Sequence, residues 1–331
     1  MNGPTLMNRR HVLAALVATG SSPLAFGQSA PADYPRQPVK VMLGFPPGGG
    51  VDITTRLLAQ GLADSTGKTF IVENRPGAGG TLAAGQVAKA EPDGHTLFLM
   101  ASGHSIAPAL YKNLSYDSVG DFSMISMVTR FPFGIAVAGS SPIKSLSELM
   151  KMAREKPQSV TMGHAGVGTG MHLAGALLQN RTGVRFTEVP YKGGNLAPMA
   201  AAAGEIAAVY DNLAGMDPLI QSGRLRLLAV SSGQRWRTLP DVPTVAEVIG
   251  DSYEVMGWTA LAGPKGMPAP VVNYLAAETA KVMARQDVID RLARQGLGAV
   301  SSTPAEASRV LASEVARWQK LVREENISVG G

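Results

Sequence analysis

Residues 44–52 read Gly-Phe-Pro-Pro-Gly-Gly-Gly-Val-Asp. They follow the apolar run Val39-Lys40-Val41-Met42-Leu43 and open the periodic segment Ile53-Thr54-Thr55-Arg56-Leu57-Leu58-Ala59. A strand therefore runs into a glycine loop, and the loop into a helix. Glycine lets backbone approach a ligand closely, and the free N–H groups of a helix start attract an anion. The same form recurs at Gly163-His164-Ala165-Gly166-Val167-Gly168-Thr169-Gly170-Met171-His172, and a further glycine loop stands at Asn74-Arg75-Pro76-Gly77-Ala78-Gly79-Gly80. Alone, each is equally well a tight turn without a ligand. Together, the first loop and the loop at 163–172 can face each other across a cleft.

Working outward, the hydrophobic pattern predicts strands over 39–45, 70–73, 96–100, 122–129, 134–138, 160–163, 186–189, 206–210, 225–231 and 257–263. Helices are predicted over 53–62, 81–90, 145–155, 171–180, 196–203, 271–284, 288–295 and 304–324. Alternation of this kind implies parallel sheets with helices on both faces. One series spans about 39–100 and another about 134–231. The stretch Phe131-Pro132-Phe133-Gly134 reads as the crossing between them, and the strand near Gly257 as the return. The expectation is an α/β protein of two hinged lobes, 33–133 plus 256–331 and 134–255. Its ligand would lie between them at the carboxyl ends of the strands.

At 331 residues the chain is long enough for two cores. Arg9-Arg10 precede the apolar run 12–18, and small residues follow, so 1–32 reads as an export signal with a twin-arginine look. The run is shorter than the ~20 residues a bilayer span needs. A periplasmic product is expected. The chain has no cysteine, which excludes disulfides, thiolate metal sites and a Cys nucleophile. The net charge is +5, and loss of Arg9 and Arg10 with the signal leaves +3. The basic residues are scattered without aromatic interleaving, so nucleic acid is not an expected partner.

The chemistry-bearing candidates are sparse. Residues 61–69 imitate a P-loop but carry an extra residue and run helix to strand, so they read as a helix end. Gly166-Val167-Gly168-Thr169-Gly170-Met171 puts Met where a dinucleotide fingerprint needs its last glycine. With Glu188 as the ribose acid, a nicotinamide-dependent enzyme remains the alternative. His164 and His172 lack a metal spacing, and His172 reads as a brace for its loop. His104 either faces the cleft or is a solvated loop residue. Asp211 follows an apolar strand, where it either meets a ligand or caps a helix over 213–220. Backbone donors, small hydroxyls (Ser102, Ser105, Thr169) and one acid, without a nucleophile–base pair, suit binding better than turnover.

From Tyr34-Pro35 to the last helix, the chain resembles the Bug-type periplasmic solute-binding proteins of tripartite tricarboxylate transporters. The resemblance is carried by Phe45-Pro46-Pro47-Gly48-Gly49 with Asp52, by Glu73-Asn74-Arg75-Pro76-Gly77-Ala78-Gly79-Gly80 and by Pro92-Asp93-Gly94. Pro108-Ala109-Leu110-Tyr111, Gly166-x-Gly168-Thr169 with His172-Leu173-Ala174-Gly175, and Val189-Pro190-Tyr191-Lys192-Gly193-Gly194 continue it in order. Asp211-Asn212 and Leu239-Pro240-Asp241-Val242-Pro243-Thr244 complete it. It implies a Venus-flytrap fold, each lobe a mostly parallel sheet flanked by helices. It further implies capture of a small mono-, di- or tricarboxylate by backbone N–H groups, hydroxyls and bridging waters, without cofactor, catalytic residue or metal. The implied partners are membrane transporter subunits, with a ligand sensor as the related alternative, and the protein is expected to be a monomer. Carried over, the lining is Pro47, Gly48, Gly49, Gly50, Val51 and Asp52, then Ser102, His104 and Ser105, then Gly168, Thr169 and Asp211. Ala107 and His104 depart from the family pattern, in a loop that contributes to the cleft.

Overall fold

The structure is a computed structural model that describes residues 31, 34–193 and 195–324; the export-signal reading falls outside them. The first lobe opens with β1 (Val39–Leu43), β2 (Phe70–Asn74) and β3 (Thr96–Ala101), paired in parallel in the order β2-β1-β3. The connecting helices are α1 (Gly50–Thr66), α2 (Thr81–Val87) and α3 (Gly103–Leu110). Along these strands, side chains alternate between two cores. Val39, Val41, Leu97 and Leu99 face one, while Met42, Phe98 and Met100 face the other. That is the period of two that a sheet covered on both faces demands. Helix α1 stops at Gly67, in the left-handed region at φ 67°, whose N–H donates to the Ala63 carbonyl. Residues 61–69 are thus the helix end read from the sequence.

The long strand β4 (Phe122–Ala138) joins the two halves. The sequence divides it at 129–134; the backbone does not. Its first part lies antiparallel to β9 (Met256–Pro264), ending at the pair Pro132–Met256. From Phe133 onward its partners are β7 (Ala208–Asn212) and β8 (Leu225–Val230), also antiparallel. Pro132 lacks an N–H, but the strand changes partners there, so no central ladder has to be continuous. In the second lobe, β5 (Thr161–His164) pairs in parallel with β6 (Thr187–Pro190) and β7. Helices α4 (Leu146–Glu155), α5 (Gly170–Thr182), α6 (Leu196–Ala203), α7 (Leu213–Gln221) and α8 (Val245–Ile249) pack around it. The alternation repeats: Ile135, Val137 and Tyr210 face the large core, and Ala136 and Val209 a smaller one.

The return crossing brings β9 between β3 and β4, antiparallel to both. The C-terminal part then adds α9 (Ala269–Met283), α10 (Gln286–Ala293), the short β10 (Gly298–Ala299) on β4, and α11 (Pro304–Glu324). Leu311 and Val315 of α11 bury against Met100 and Trp258 of the first lobe. The two-lobed α/β architecture is as expected. The pairing is mixed, because β9 enters the first sheet antiparallel to β3 and β4 enters the second antiparallel to β7. One residue ties the crossings together. The Oγ of fully buried Ser231 accepts the Phe133 N–H at 2.8 Å and donates to the Val255 carbonyl at 2.5 Å.

Candidate functional site

The cleft lies where the parallel strands end and the helices begin. Phe45 and Pro46 follow β1, Ser102 and Gly103 follow β3, Ala165 follows β5, Gly193 follows β6, and Asn212 ends β7. Gly49, Gly50 and Val51 come from the start of α1, and Thr169, Gly170 and Met171 from the start of α5. Gly79 enters from the second glycine loop, whose Gly80 runs so close to Gly44 that a Cβ on Gly44 would lie 2.3 Å from the Gly80 Cα. Phe131, Phe133 and Leu297 form the apolar floor between the lobes. The cleft contains about 750 Å³ of empty space, open to solvent. No lining residue carries a charged side chain.

Four helix N-termini therefore converge here, those of α1, α3, α5 and α7. The first N–H groups of any helix lack an intrahelical acceptor, and each terminus carries about half a positive charge. The two lobes treat these ends differently. In α5, Thr169 Oγ1 accepts from the His172 N–H, and in α7, Asn212 Oδ1 accepts from the Gly215 N–H. At α1 and α3, the cap residues Gly49 and Ser102 make no side-chain cap bond. The first lobe thus presents less committed donors than the second.

The expected lining residues fall into three groups. Gly49, Gly50, Val51, Ser102 and Thr169 line the cleft. Pro47, Gly48, Asp52, Ser105 and Gly168 shape the loops behind it and are not in the lining. Gly48 holds φ +90°, a turn that a side chain would strain, and its N–H donates to Asp52 Oδ2 at 3.0 Å. The same oxygen accepts from Arg56 Nε, while Oδ1 accepts from Asn74 Nδ2, which also donates to the Phe45 carbonyl. Burial works to raise the Asp52 pKa, but the bonds from Arg56, Gly48 and Asn74 outweigh it and hold it below the usual range. Asp52 is the staple of the first glycine loop. Ser105 Oγ donates to the Ser102 carbonyl, and Gly168 turns its loop at φ +81°.

His104 and Asp211 form the third group, and both sit away from the lining. His104 is buried. Its Nε2 lies 2.9 Å from the Ser118 carbonyl, and its ring stacks on Tyr116 and meets Phe122 edge-on at 4.9 Å. It neither faces the cleft nor is solvated. The reason is that 103–110 is a helix, not a loop, so His104 is turned onto the face of α3 that packs inward. Burial pushes its pKa down to about 4. Asp211 is wholly buried because β7 runs two residues beyond the predicted end, placing Asp211 opposite Gly134 within the ladder. Its Oδ1 accepts the Asn212 N–H at 2.7 Å, and its Oδ2 has no partner. Burial raises its pKa to about 7, against the lowering effect of that one bond. Asn212, the next residue, both caps α7 and reaches the cleft.

Sequence reasoning passed over Asn212, and also the floor residues Phe131, Phe133 and Leu297. The paired aromatics around Pro132 were the available signal. The histidines of the third loop brace it. His164 Nδ1 accepts the Gly166 N–H at 3.2 Å and His172 Nδ1 that of Gly168 at 3.4 Å. Glu188 is engaged by His172 and by Gln179 Nε2, so it is not free to hold a ribose.

A cleft between two α/β lobes, ringed by strand ends and helix N-termini, defines the chain as a protein of the periplasmic-binding class. Residues 54–327 match the tripartite tricarboxylate transporter family receptor, and the chain belongs to that family. BugT of Bordetella pertussis is 32% identical over 321 residues, 96% of this chain and 98% of BugT, which makes the chain a Bug-type protein. The R. palustris protein Rpa4515, solved with adipate, superimposes with a TM-score of 0.85 at 31% identity, covering 89% of this chain and 99% of its own. MatC from Rhodopseudomonas palustris, solved with malate, gives a TM-score of 0.81 at 31% identity, covering 87% and 100%.

Proposed function

We propose that the cleft captures a small organic carboxylate and that the loaded protein delivers it to membrane transporter subunits. The observation that carries this reading is the convergence of four helix N-termini on a cleft whose lining has no charged side chain. Such a site stabilises an anion through backbone dipoles, Ser102 and Thr169, and supplies no carboxylate to a cation. One carboxylate belongs at Gly49–Val51 and Ser102–Gly103, where the donors lack side-chain caps. The walls of Phe45, Pro46, Val51, Met171 and Leu297 suit an aliphatic body behind that charge. Adipate and malate, held by the two related proteins, have this form. The lobes that close on the ligand are 33–133 with 256–331, and 134–255. Among the described residues no helix is long and apolar enough to cross a membrane. The proposed product is a periplasmic monomer released from the signal 1–32.

The test is a thermal-shift screen of mono-, di- and tricarboxylates against amines and neutral sugars. A ligand at a hundred times its Kd stabilises the native state by ~2.7 kcal/mol. A rise in Tm confined to carboxylates supports the proposal. No shift with any of them would refute it.

A further inference from the structure

Three side chains behind the second-lobe loop have no part in lining the cleft. His164 ends β5, His172 lies in the first turn of α5, and Glu188 is on β6. They are separated in sequence, and β5–β6 pairing with the start of α5 brings them together. One donor atom from each lies within 4.8 Å of the other two. His172 Nε2 is 3.3 Å from Glu188 Oε2, and the imidazole centroids are 5.0 Å apart. His164 is 3% exposed, and its Nε2 has no hydrogen-bond partner. A buried ring nitrogen left unpaired is unfavourable and calls for a partner.

We propose that His164, His172 and Glu188 form a binding site for a borderline transition-metal ion of the Zn²⁺ type. Two imidazoles and one carboxylate are a donor set that such ions favour, whereas Mg²⁺ and Ca²⁺ take oxygen-rich sets. Three protein donors leave a position for water. The Glu188 side chain is 33% exposed and supplies the entry path to the two buried rings. Gln179 Nε2 donates to Glu188 Oε1 at 2.9 Å, which orients the carboxylate and leaves Oε2 toward His172.

The site is linked to the cleft by the tautomers of its rings. With Nδ1 of each histidine accepting a glycine N–H, the ring protons reside on Nε2. Coordination through Nε2 transfers each of those protons, by way of solvent, to Nδ1. Nδ1 then becomes a donor, and the N–H groups of Gly166 and Gly168 must turn away. Gly166 at φ +125° and Gly168 at φ +81° are residues able to make that turn. Occupancy by the ion therefore reshapes the loop that carries Ala165 and Thr169 into the cleft.

The experiment titrates Zn²⁺ alone into the protein purified without an affinity tag, by calorimetry, with Mg²⁺ in parallel. The expected result is one Zn²⁺ per chain, affinity at least about tenfold weaker in Glu188→Gln, and no saturable binding in His164→Ala, with Mg²⁺ giving no heat. Glu188→Gln keeps the shape of a half-exposed residue, so it remains informative if His164→Ala does not fold. Hydrogen exchange at the Gly166 and Gly168 amides should rise on Zn²⁺ addition and stay constant in Glu188→Gln at the same Zn²⁺ concentration. Absence of saturable Zn²⁺ binding, or binding of unchanged affinity in Glu188→Gln, would overturn the proposal. No carboxylate is present in the assay, so its outcome is independent of the cleft reading.

Discussion

Replacing Gly49 with valine separates a ligand effect from a folding effect more cleanly than any other change in the first loop. Gly49 caps α1 with φ −86° and ψ 169°, an extended conformation that β-branched residues favour. A Cβ built there meets nothing within 4 Å, and the residue lines the cleft. Loss of glycine freedom in the unfolded chain stabilises by ~0.4–1 kcal/mol. Valine is a poorer N-cap than glycine by a comparable amount, so the net change in stability should stay within about 1 kcal/mol. Binding responds differently. A hydrogen bond to a charged group contributes ~1.5–3 kcal/mol. A carboxylate displaced from two N–H groups of the first turn of α1 therefore loses ~3–6 kcal/mol, a factor of roughly 10² to 10⁴ in Kd. The carboxylate that gives the largest thermal shift in the screen is titrated calorimetrically into both proteins, and thermal melts confirm folding. A folded variant whose affinity lies within about threefold of the parent would show that the anion does not sit on α1. Gly48→Val is the contrasting control. With φ +90° at Gly48, that change should lower stability by ~1–2 kcal/mol through backbone strain.

Three further outcomes are expected. Asp211 has a folded pKa of about 7 against 3.8 unfolded, so the native state holds its proton more tightly and stability should fall as pH rises from about 4 to about 7. In Asp211→Asn that slope, worth at most about 4 kcal/mol, should vanish from denaturant titrations run across the range; an unchanged slope would rule out the buried acid as its source. Ser231→Ala leaves the buried Phe133 N–H without its acceptor and should cost ~1–3 kcal/mol in urea unfolding, whereas an unaltered midpoint would mean the crossings are not held there. His104→Ala empties a packed aromatic site and should cost ~2–4 kcal/mol of stability while affinity for the best carboxylate of the screen stays within about threefold. A selective loss of affinity would return His104 to the binding surface.

Most of the fold was legible because strands buried on both faces leave a strong mark. Val39 and Val41 against Met42, with Leu97 and Leu99 against Phe98, spell out two cores without any long-range information. The connections were harder to read. Strand β4 looks like two strands because Pro132 interrupts the ladder chemistry, and only the switch of partners from β9 to β7 shows why a proline is tolerated there. Ser231 gives no local signal, since its importance comes from holding residues 98 positions before it and 24 after it.

The site was legible where backbone supplies it and obscure where side-chain direction decides. The glycine loops announce themselves by composition, and Gly49, Gly50, Val51 and Thr169 do reach the cleft. His104 and Asp211 sit away from the cleft for different reasons: a helix stands over 103–110 where a loop is expected, and β7 runs two residues past its expected end. Pro108 sits late in that eight-residue helix, where only one intrahelical bond near its end is lost. Once 103 starts a helix, its first N–H groups, and not the His104 ring, face the ligand position. Once β7 runs on to Asn212, Asp211 belongs to the sheet, and the amide beside it takes over the cleft. A carboxylate at Asp211 that reached the cleft charged would repel an anionic ligand. Buried in the ladder, it stays out of the cleft lining, and the acid in the first turn of α1, Asp52, is bonded by Arg56, Gly48 and Asn74. The placement of Asp211 therefore bears on the proposed function: a cleft lined by helix N-termini suits an anion better with this acid withdrawn into the core.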